Sequence, residues 1–250
     1  MFQLVAFSES QDEAGAYTRM AAVPDQSIRA VGDTITIGEL DRIIASAAFL
    51  GALGDEARLI SPSLRRINPL SITPVELALF PGARPAMMYH GDSPIPLKTN
   101  EALEAENNSN PAAAEQHAVL VWLSDGEQLP VKGEIHTVNC TVTMAQVIDS
   151  WEFSEITFPD SLPVGDYDVV GARLEAAAAI AFRFVPVGKA YRPGGICAQL
   201  ASSYDPFMQR FGRLGRWFDF NTVQPPGVEL LGSAAAGSAT YDLFLDLMAK

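Results

Sequence analysis

Seven prolines, Pro62, Pro69, Pro74, Pro81, Pro85, Pro94 and Pro96, punctuate one stretch of this chain. Each removes a backbone donor and fixes φ, so no long helix runs through the segment. Short strands joined by turns, with Pro at edges and strand starts, are what this spacing allows. The same punctuation continues downstream. Pro159 to Pro163, Gly194-Gly195, Pro225-Pro226-Gly227 and the small residues from Gly232 to Gly237 read as turns. The segments between them alternate. Glu134 to Thr143 sets Ile135, Thr137, Asn139, Thr141 and Thr143 against His136, Val138, Cys140 and Val142, the clearest strand pattern in the chain. Trp151 to Phe158 alternates again. Residues 2–8 and His117 to Leu123 are apolar strands, and Val31 to Ile37 carries a Gly-Asp turn followed by alternation, a hairpin signal.

Other segments are ambiguous. Glu39 to Leu53 fits a helix of about four turns or a strand buried on both faces, which periodicity alone does not separate. Tyr167 to Val185 is one long bent strand or two. Asn100 to Glu106 reads as a short helix with Asn100 as N-cap, residues 9–26 as a loop or short helix, and Tyr241 to Met248 as a helix or strand. Many short strands with little helical pattern define the fold class as mainly β: a jelly-roll sandwich or barrel, possibly two in tandem, with a few short helices.

A faint internal echo supports the tandem form. Leu4-Val5-Ala6-Phe7-Ser8-Glu9 returns as Leu120-Val121-Trp122-Leu123-Ser124-Asp125. Ile37-Gly38-Glu39-Leu40-Asp41 returns as Val164-Gly165-Asp166-Tyr167-Asp168, and in that register Arg65 falls on Arg192. Val75-Glu76-Leu77 returns as Val228-Glu229-Leu230. The order is kept while the offset grows, as insertions in a second copy would produce. The expected organisation is a first β unit over residues 1–106, a linker over 107–116 (Asn-Asn-Ser-Asn-Pro-Ala-Ala-Ala-Glu-Gln) and a second β unit over 117–250.

The 250 residues suffice for one large core or two small ones. A net charge of −13 argues against sequence-independent nucleic-acid binding and gives no strong nucleic-acid signature. Only 19% of residues are charged, and the cations are thirteen Arg against four Lys. Interfaces prefer Arg and exclude Lys, so this balance suits a subunit covered by neighbours; a GC-rich genome gives the same bias. Cys140 and Cys197 lie in apolar runs and read as small buried hydrophobes. The N-terminus lacks a basic region and reads as no signal peptide, and no stretch approaches a transmembrane span.

No constellation of catalytic residues stands out, and an enzyme is not expected. His90, His117 and His136 fall in separate segments; Glu134 with His136, on one strand face, is the one hint of a cupin-like metal pair. There is no Gly-x-Ser-x-Gly elbow, and Gly194-Gly195 lacks the context of a phosphate loop. Nothing here calls for a cofactor. The sharpest local feature is Arg210-Phe211-Gly212-Arg213-Leu214-Gly215-Arg216-Trp217-Phe218. Three Arg at spacing three with aromatics between them suit a grip on an acidic partner surface, or pairing with local acids such as Asp205 and Asp219. Arg65-Arg66 poses the same choice. Arg210, Arg213, Arg216, Trp217, Arg65 and Arg66 are therefore the candidate subunit interface.

With halves echoing at Gly38-Glu39-Leu40-Asp41 and Gly165-Asp166-Tyr167-Asp168, Pro-rich connections and scarce Lys, the chain resembles the jelly-roll coat proteins of tailless viruses and phages. The resemblance implies a structural shell subunit that self-associates as trimers or larger species in a virion, with other virion proteins as further partners. It lacks the basic arm that coat proteins lining a genome often carry. The competing classes are a β-sandwich module binding glycans through Trp122, Trp151 or Trp217, and a cupin-like metalloenzyme using Glu134 and His136.

Overall fold

A computed structural model describes residues 1–11, 16–51, 56–65, 69–76, 87–108, 115–127, 133–159, 161–198 and 213–250. The chain forms two compact units. The N-terminal unit is Leu4–Gly126; the C-terminal unit is Glu127–Lys250 together with Met1–Gln3.

The C-terminal unit holds eight described strands: β13 (Glu134–Gln146), β14 (Trp151–Thr157), β15 (Asp166–Glu175), β16 (Ala179–Val185), β17 (Gly194–Ile196), β18 (Phe218–Asn221), β19 (Gly227–Gly232) and β20 (Ala236–Ala249). Their spatial order is β17-β16-β19-β14-β13-β20-β15-β18. The join between β14 and β13 is short, with Thr141 opposite Thr157 and Val142 opposite Ile156. On either side of it lie β13-β20-β15-β18 and β14-β19-β16-β17. Counted along the chain these are strands 1-8-3-6 and 2-7-4-5, the strand order of a jelly roll. Alternation sets the faces. Leu243, Leu245 and Leu247 of β20 are buried and stand opposite Cys140, Val138 and His136 of β13. Phe182 and Phe184 of β16 are buried, opposite Leu230 and Val228 of β19.

The N-terminal unit comprises β1 (Phe2–Gln11, whose first two residues group with the other unit), β2 (Thr18–Arg19), β3 (Arg29–Val31), β4 (Thr34–Thr36), β5 (Arg42–Leu50), β6 (Ala57–Ile60), α1 (Pro62–Arg65), β7 (Leu70–Ile72), β8 (Pro74–Glu76), β9 (Met88–Tyr89), β10 (Ile95–Pro96), β11 (Ala102–Asn107) and β12 (Glu115–Ser124). One sheet runs β1-β12-β5-β10, with β8 and β9 also on β5. The other runs β3-β4-β11-β6-β7, with β2 also on β11. With β2 and the β3–β4 hairpin taken as one interrupted second strand, and β9 with β10 as the sixth, this is again 1-8-3-6 facing 2-7-4-5. One apolar core joins the two sheets: Val5 and Phe7, Val119, Val121 and Leu123 from the first; Ala57, Leu59, Leu103 and Ala105 from the second.

The mainly β class therefore holds, and each unit has jelly-roll strand order. Several local readings are corrected. Asn100 to Glu106 is strand β11, not a helix. Asn100 takes φ 69° instead of capping, and Leu103 and Ala105 face the core while Glu104 and Glu106 ion-pair with Arg19 and Arg58 on the other face. The Ala-Leu-Glu composition favours a helix, but strand pairing on both sides overrides so weak a preference. Glu39 to Leu53 contains strand β5. A bulge at Ile44 keeps its register with β12, and both of its faces are buried, from Ala45, Ala47 and Phe49 to Ile43 and Ala48. Burial on both faces erases the alternation that marks a strand. Tyr241 to Met248 lies in strand β20, and Tyr167 to Val185 is two strands that meet at Ala178, φ 58°.

The strand at His117 to Leu123, expected to open the second unit, is β12 and pairs with β5 inside the first. Contacts divide the chain after Gly126, and residues 109–114 of the expected linker lie outside the described residues. The echo fares unevenly. Leu4 and Leu120 are not equivalent positions, since β1 and β12 are neighbours in one sheet. Val75 lies on β8, beside the third strand of its unit, and Val228 on the seventh of the other. The Gly38–Asp41 and Gly165–Asp168 match does fall at the entry to the third strand in both units, and Arg65 and Arg192 both lie between the fourth and fifth.

Cys140 and Cys197 are free and buried. Burial pushes the Cys140 thiol up to about 12 and Cys197 well above its usual value. A thiolate is the reactive form. Neither cysteine is expected to react with a thiol reagent at pH 8 in the folded protein, while both react in denaturant; fast labelling of the native protein would contradict this burial.

Candidate functional site

Of the six expected interface residues, Arg213, Arg216 and Trp217 are described with their side chains. Arg210 and Arg66 lie outside the described residues, and Arg65 is described only as the last residue of α1. Arg213 is exposed. Arg216 turns inward: its guanidinium donates to Asp168 at 3.3 Å. Asp168 also takes Lys250 Nζ at 3.1 Å, Lys250 reaches Asp219 at 3.4 Å, and Lys189 reaches Asp219 at 3.6 Å. Burial acts against the Asp219 carboxylate, yet Lys250 and Lys189 hold its pKa below the ordinary value. Trp217 is 1% exposed. It meets Phe2 and Phe184 edge-on, with ring centroids 5.5 and 5.9 Å away, and stacks on Phe182 at 6.3 Å. Trp217 is thus internal to the C-terminal unit, and Arg216, half-buried, pairs with an acid of the same unit.

The tryptophans proposed for sugar stacking are occupied. Trp122 is fully buried, Trp217 is in the aromatic core, and the Trp151 ring lies under the Arg183 guanidinium at 4.1 Å. The histidines remain apart. His90 sits 3.4 Å from Ser46 Oγ, with its pKa lowered by burial. His117 Nδ1 accepts from Gly51 N–H at 3.0 Å. His136 packs edge-on against Tyr167. Among the described residues no three His, Cys, Asp or Glu side chains gather as metal ligands.

A different group comes together on the outer face of the β14-β19-β16 sheet. Arg183 stands opposite Glu229, and Phe153 opposite the same glutamate from the other side. Arg183 is 2% exposed and its Nε donates to Glu229 at 2.5 Å. Trp151, two residues from Phe153 on the same strand face, covers the guanidinium. Beyond Phe153 the sheet runs into a cleft of about 500 Å³. Its floor and walls are apolar: Phe153, Ile156, Val185 to Val187, Pro225 and Pro226; its charges are Glu155, Lys189 and Arg192. Arg192 donates to the carbonyls of Lys189 and Tyr191 at 2.9 and 3.3 Å, and no carboxylate pairs with it among the described residues. The Phe153 ring lies across Gly227, where a Cβ would collide with it.

Sequence reasoning missed this group. Arg183 interrupts the apolar run Ala172 to Val187 with its partner 46 residues away, so only the β16–β19 register reveals the pair. Gly227 closing the Pro-Pro-Gly turn was a legible signal, since a glycine beside an aromatic strand marks a close approach.

No family model matches the chain. No curated protein matches it either. Among solved structures, the major capsid protein P2 of bacteriophage PM2 aligns over 100% of this chain and 97% of its own, at 9% identity and a TM-score of 0.23.

Proposed function

We propose that this protein is a structural subunit of a self-assembling shell, a coat protein of a virion. The observation that carries this reading is the repetition of jelly-roll strand order, 1-8-3-6 over 2-7-4-5, in both units of one chain. Two such barrels per chain let three chains present six similar bodies, so a trimer builds a pseudo-hexagonal block. Arg-biased cations and the low charged fraction fit a surface covered by neighbours. Arg213, exposed, is offered as one contact, with Arg210, Arg65 and Arg66 as further candidates.

Sedimentation at micromolar concentration tests the reading directly. Trimers or larger species are expected, each contact burying on the order of 1,200–2,000 Å², and negative-stain images should show particles or flat arrays. A monomer at all concentrations and salt conditions refutes it. In the same assay Arg213→Ala is expected to weaken assembly while the melting temperature stays put, because an exposed arginine contributes only about 0–1 kcal/mol to folding.

A further inference from the structure

We propose that the cleft end of the C-terminal jelly roll, formed by Val185 to Arg192, Thr222 to Gly227 and Phe153, is the surface through which a second copy of this chain docks, offering a carboxylate to Arg192. The inference rests on the self-assembly reading and goes further by naming the surface and its chemistry.

Three observations carry it. First, exposed apolar residues concentrate here. Eight large hydrophobic side chains are exposed among the described residues, and four of them, Phe153 (55%), Val164 (82%), Val187 (55%) and Val223 (74%), line or flank this end. A grouped apolar exposure marks an interaction surface, whereas scattered ones do not. Second, the loops are held rigid. Gly165 and Thr222 exchange hydrogen bonds, Thr222 N–H to Gly165 O at 3.0 Å and Gly165 N–H to Thr222 Oγ1 at 3.0 Å. Tyr167 donates to Pro163 O, and Asn221 binds both Asp166 and Val223 N–H. Little ordering entropy remains to be lost on docking.

Third, the charge is complementary to the rest of the chain. The cleft lining carries Lys189, Arg192 and Glu155; Lys189 already reaches Asp219 at 3.6 Å, which leaves Arg192 as the cleft cation with no carboxylate partner among the described residues, on a molecule of net charge −13. Residues 4–126 carry sixteen Asp and Glu against eight Lys and Arg. A two-fold contact about the cleft would set Arg192 against its own copy. A contact between the cleft and a different, acidic surface of the next copy avoids that, and repeated contacts of that kind close into rings. Arg192 spends Nη1 on two carbonyls, and its Nε and Nη2 donors are the ones that would take a carboxylate.

The test uses the full chain. Arg192→Glu, and separately Val187→Asp, are expected to weaken self-association about 30-fold or more, with circular dichroism and melting unchanged. Val223→Ser serves as a milder variant. In wild type, amide hydrogen exchange over residues 186–192 and 222–227 is expected to slow on association. If wild type assembles and the variants assemble equally well with no added protection, this docking surface is wrong while the shell reading stands. If wild type never assembles, both fall. Variants that assemble normally yet lose co-sedimentation with phosphatidylglycerol vesicles assign the end to lipid and overturn the proposal.

Discussion

Glu229→Ala is expected to destabilise the C-terminal unit by about 3–5 kcal/mol, because it removes the carboxylate paired with a buried cation. Arg183 is 2% exposed, opposite Glu229 in the β16–β19 register, with Nε 2.5 Å from the carboxylate. The Trp151 face also contacts it at 4.1 Å, and a cation–π contact contributes only about 0.5–2 kcal/mol. Removing the carboxylate takes away the opposite charge that offsets the desolvation of the buried guanidinium. Replacing both partners behaves differently. Arg183→Met with Glu229→Leu fills similar volume and buries no charge, so its unfolding midpoint is expected at or above that of wild type. Urea unfolding followed by tryptophan fluorescence measures both, provided separate transitions of the two units are fitted separately. A Glu229→Ala protein that unfolds with wild type would mean that water reaches Arg183, and the closed outer face described for this sheet would be wrong.

What was legible in the sequence divides along physical lines. Strands with one wet face announce themselves: β13 and β14 alternate, and both were read from that. Strands buried on both faces do not. β5, with Ala45, Ala47 and Phe49 on one side and Ile43 and Ala48 on the other, looks equally like a core helix. β11 misled through composition, since its outward Glu104 and Glu106 are strong helix formers that the fold uses as ion-pair partners for Arg19 and Arg58. Two of the echoed matches fall at corresponding places in the two units, the third-strand entry and the fourth-to-fifth connection. The echo failed at Leu4 and Leu120 because any two apolar strands of one sheet share a pattern, so similarity between β1 and β12 reports a shared environment and not an equivalent position. The candidate site was the least legible part. Arg183, Glu229, Phe153 and Arg192 gather through cross-strand register and loop geometry, and neither leaves a local motif.

Trp217→Ala is expected to lower stability by about 3–5 kcal/mol, the cost of emptying a large aromatic site that cannot collapse around the gap. The sequence placed Trp217 beside three arginines and so suggested an anchor for a neighbouring subunit. Its surroundings assign the opposite role. The indole is 1% exposed and contacts Phe2, Phe182 and Phe184 at centroid distances of 5.5, 6.3 and 5.9 Å. Its backbone N–H donates to Val169 O at 2.8 Å, which fixes the ring beside strand β15. Edge-on and stacked pairs of this kind add about 0.5–1.5 kcal/mol each beyond the area they bury. Trp217→Phe should retain roughly half of the stability lost in Trp217→Ala, since it keeps a ring in the cluster and leaves a smaller void. The discriminating measurement sets stability against association. A core tryptophan shifts the unfolding midpoint in dilute protein, where no assembly exists. An interface tryptophan leaves that midpoint fixed and changes only the concentration at which larger species form. Arg213→Ala, four residues earlier and exposed, is expected to show the second behaviour and Trp217→Ala the first. If the two variants behave alike, the division of this segment into an inward aromatic and an outward arginine is wrong.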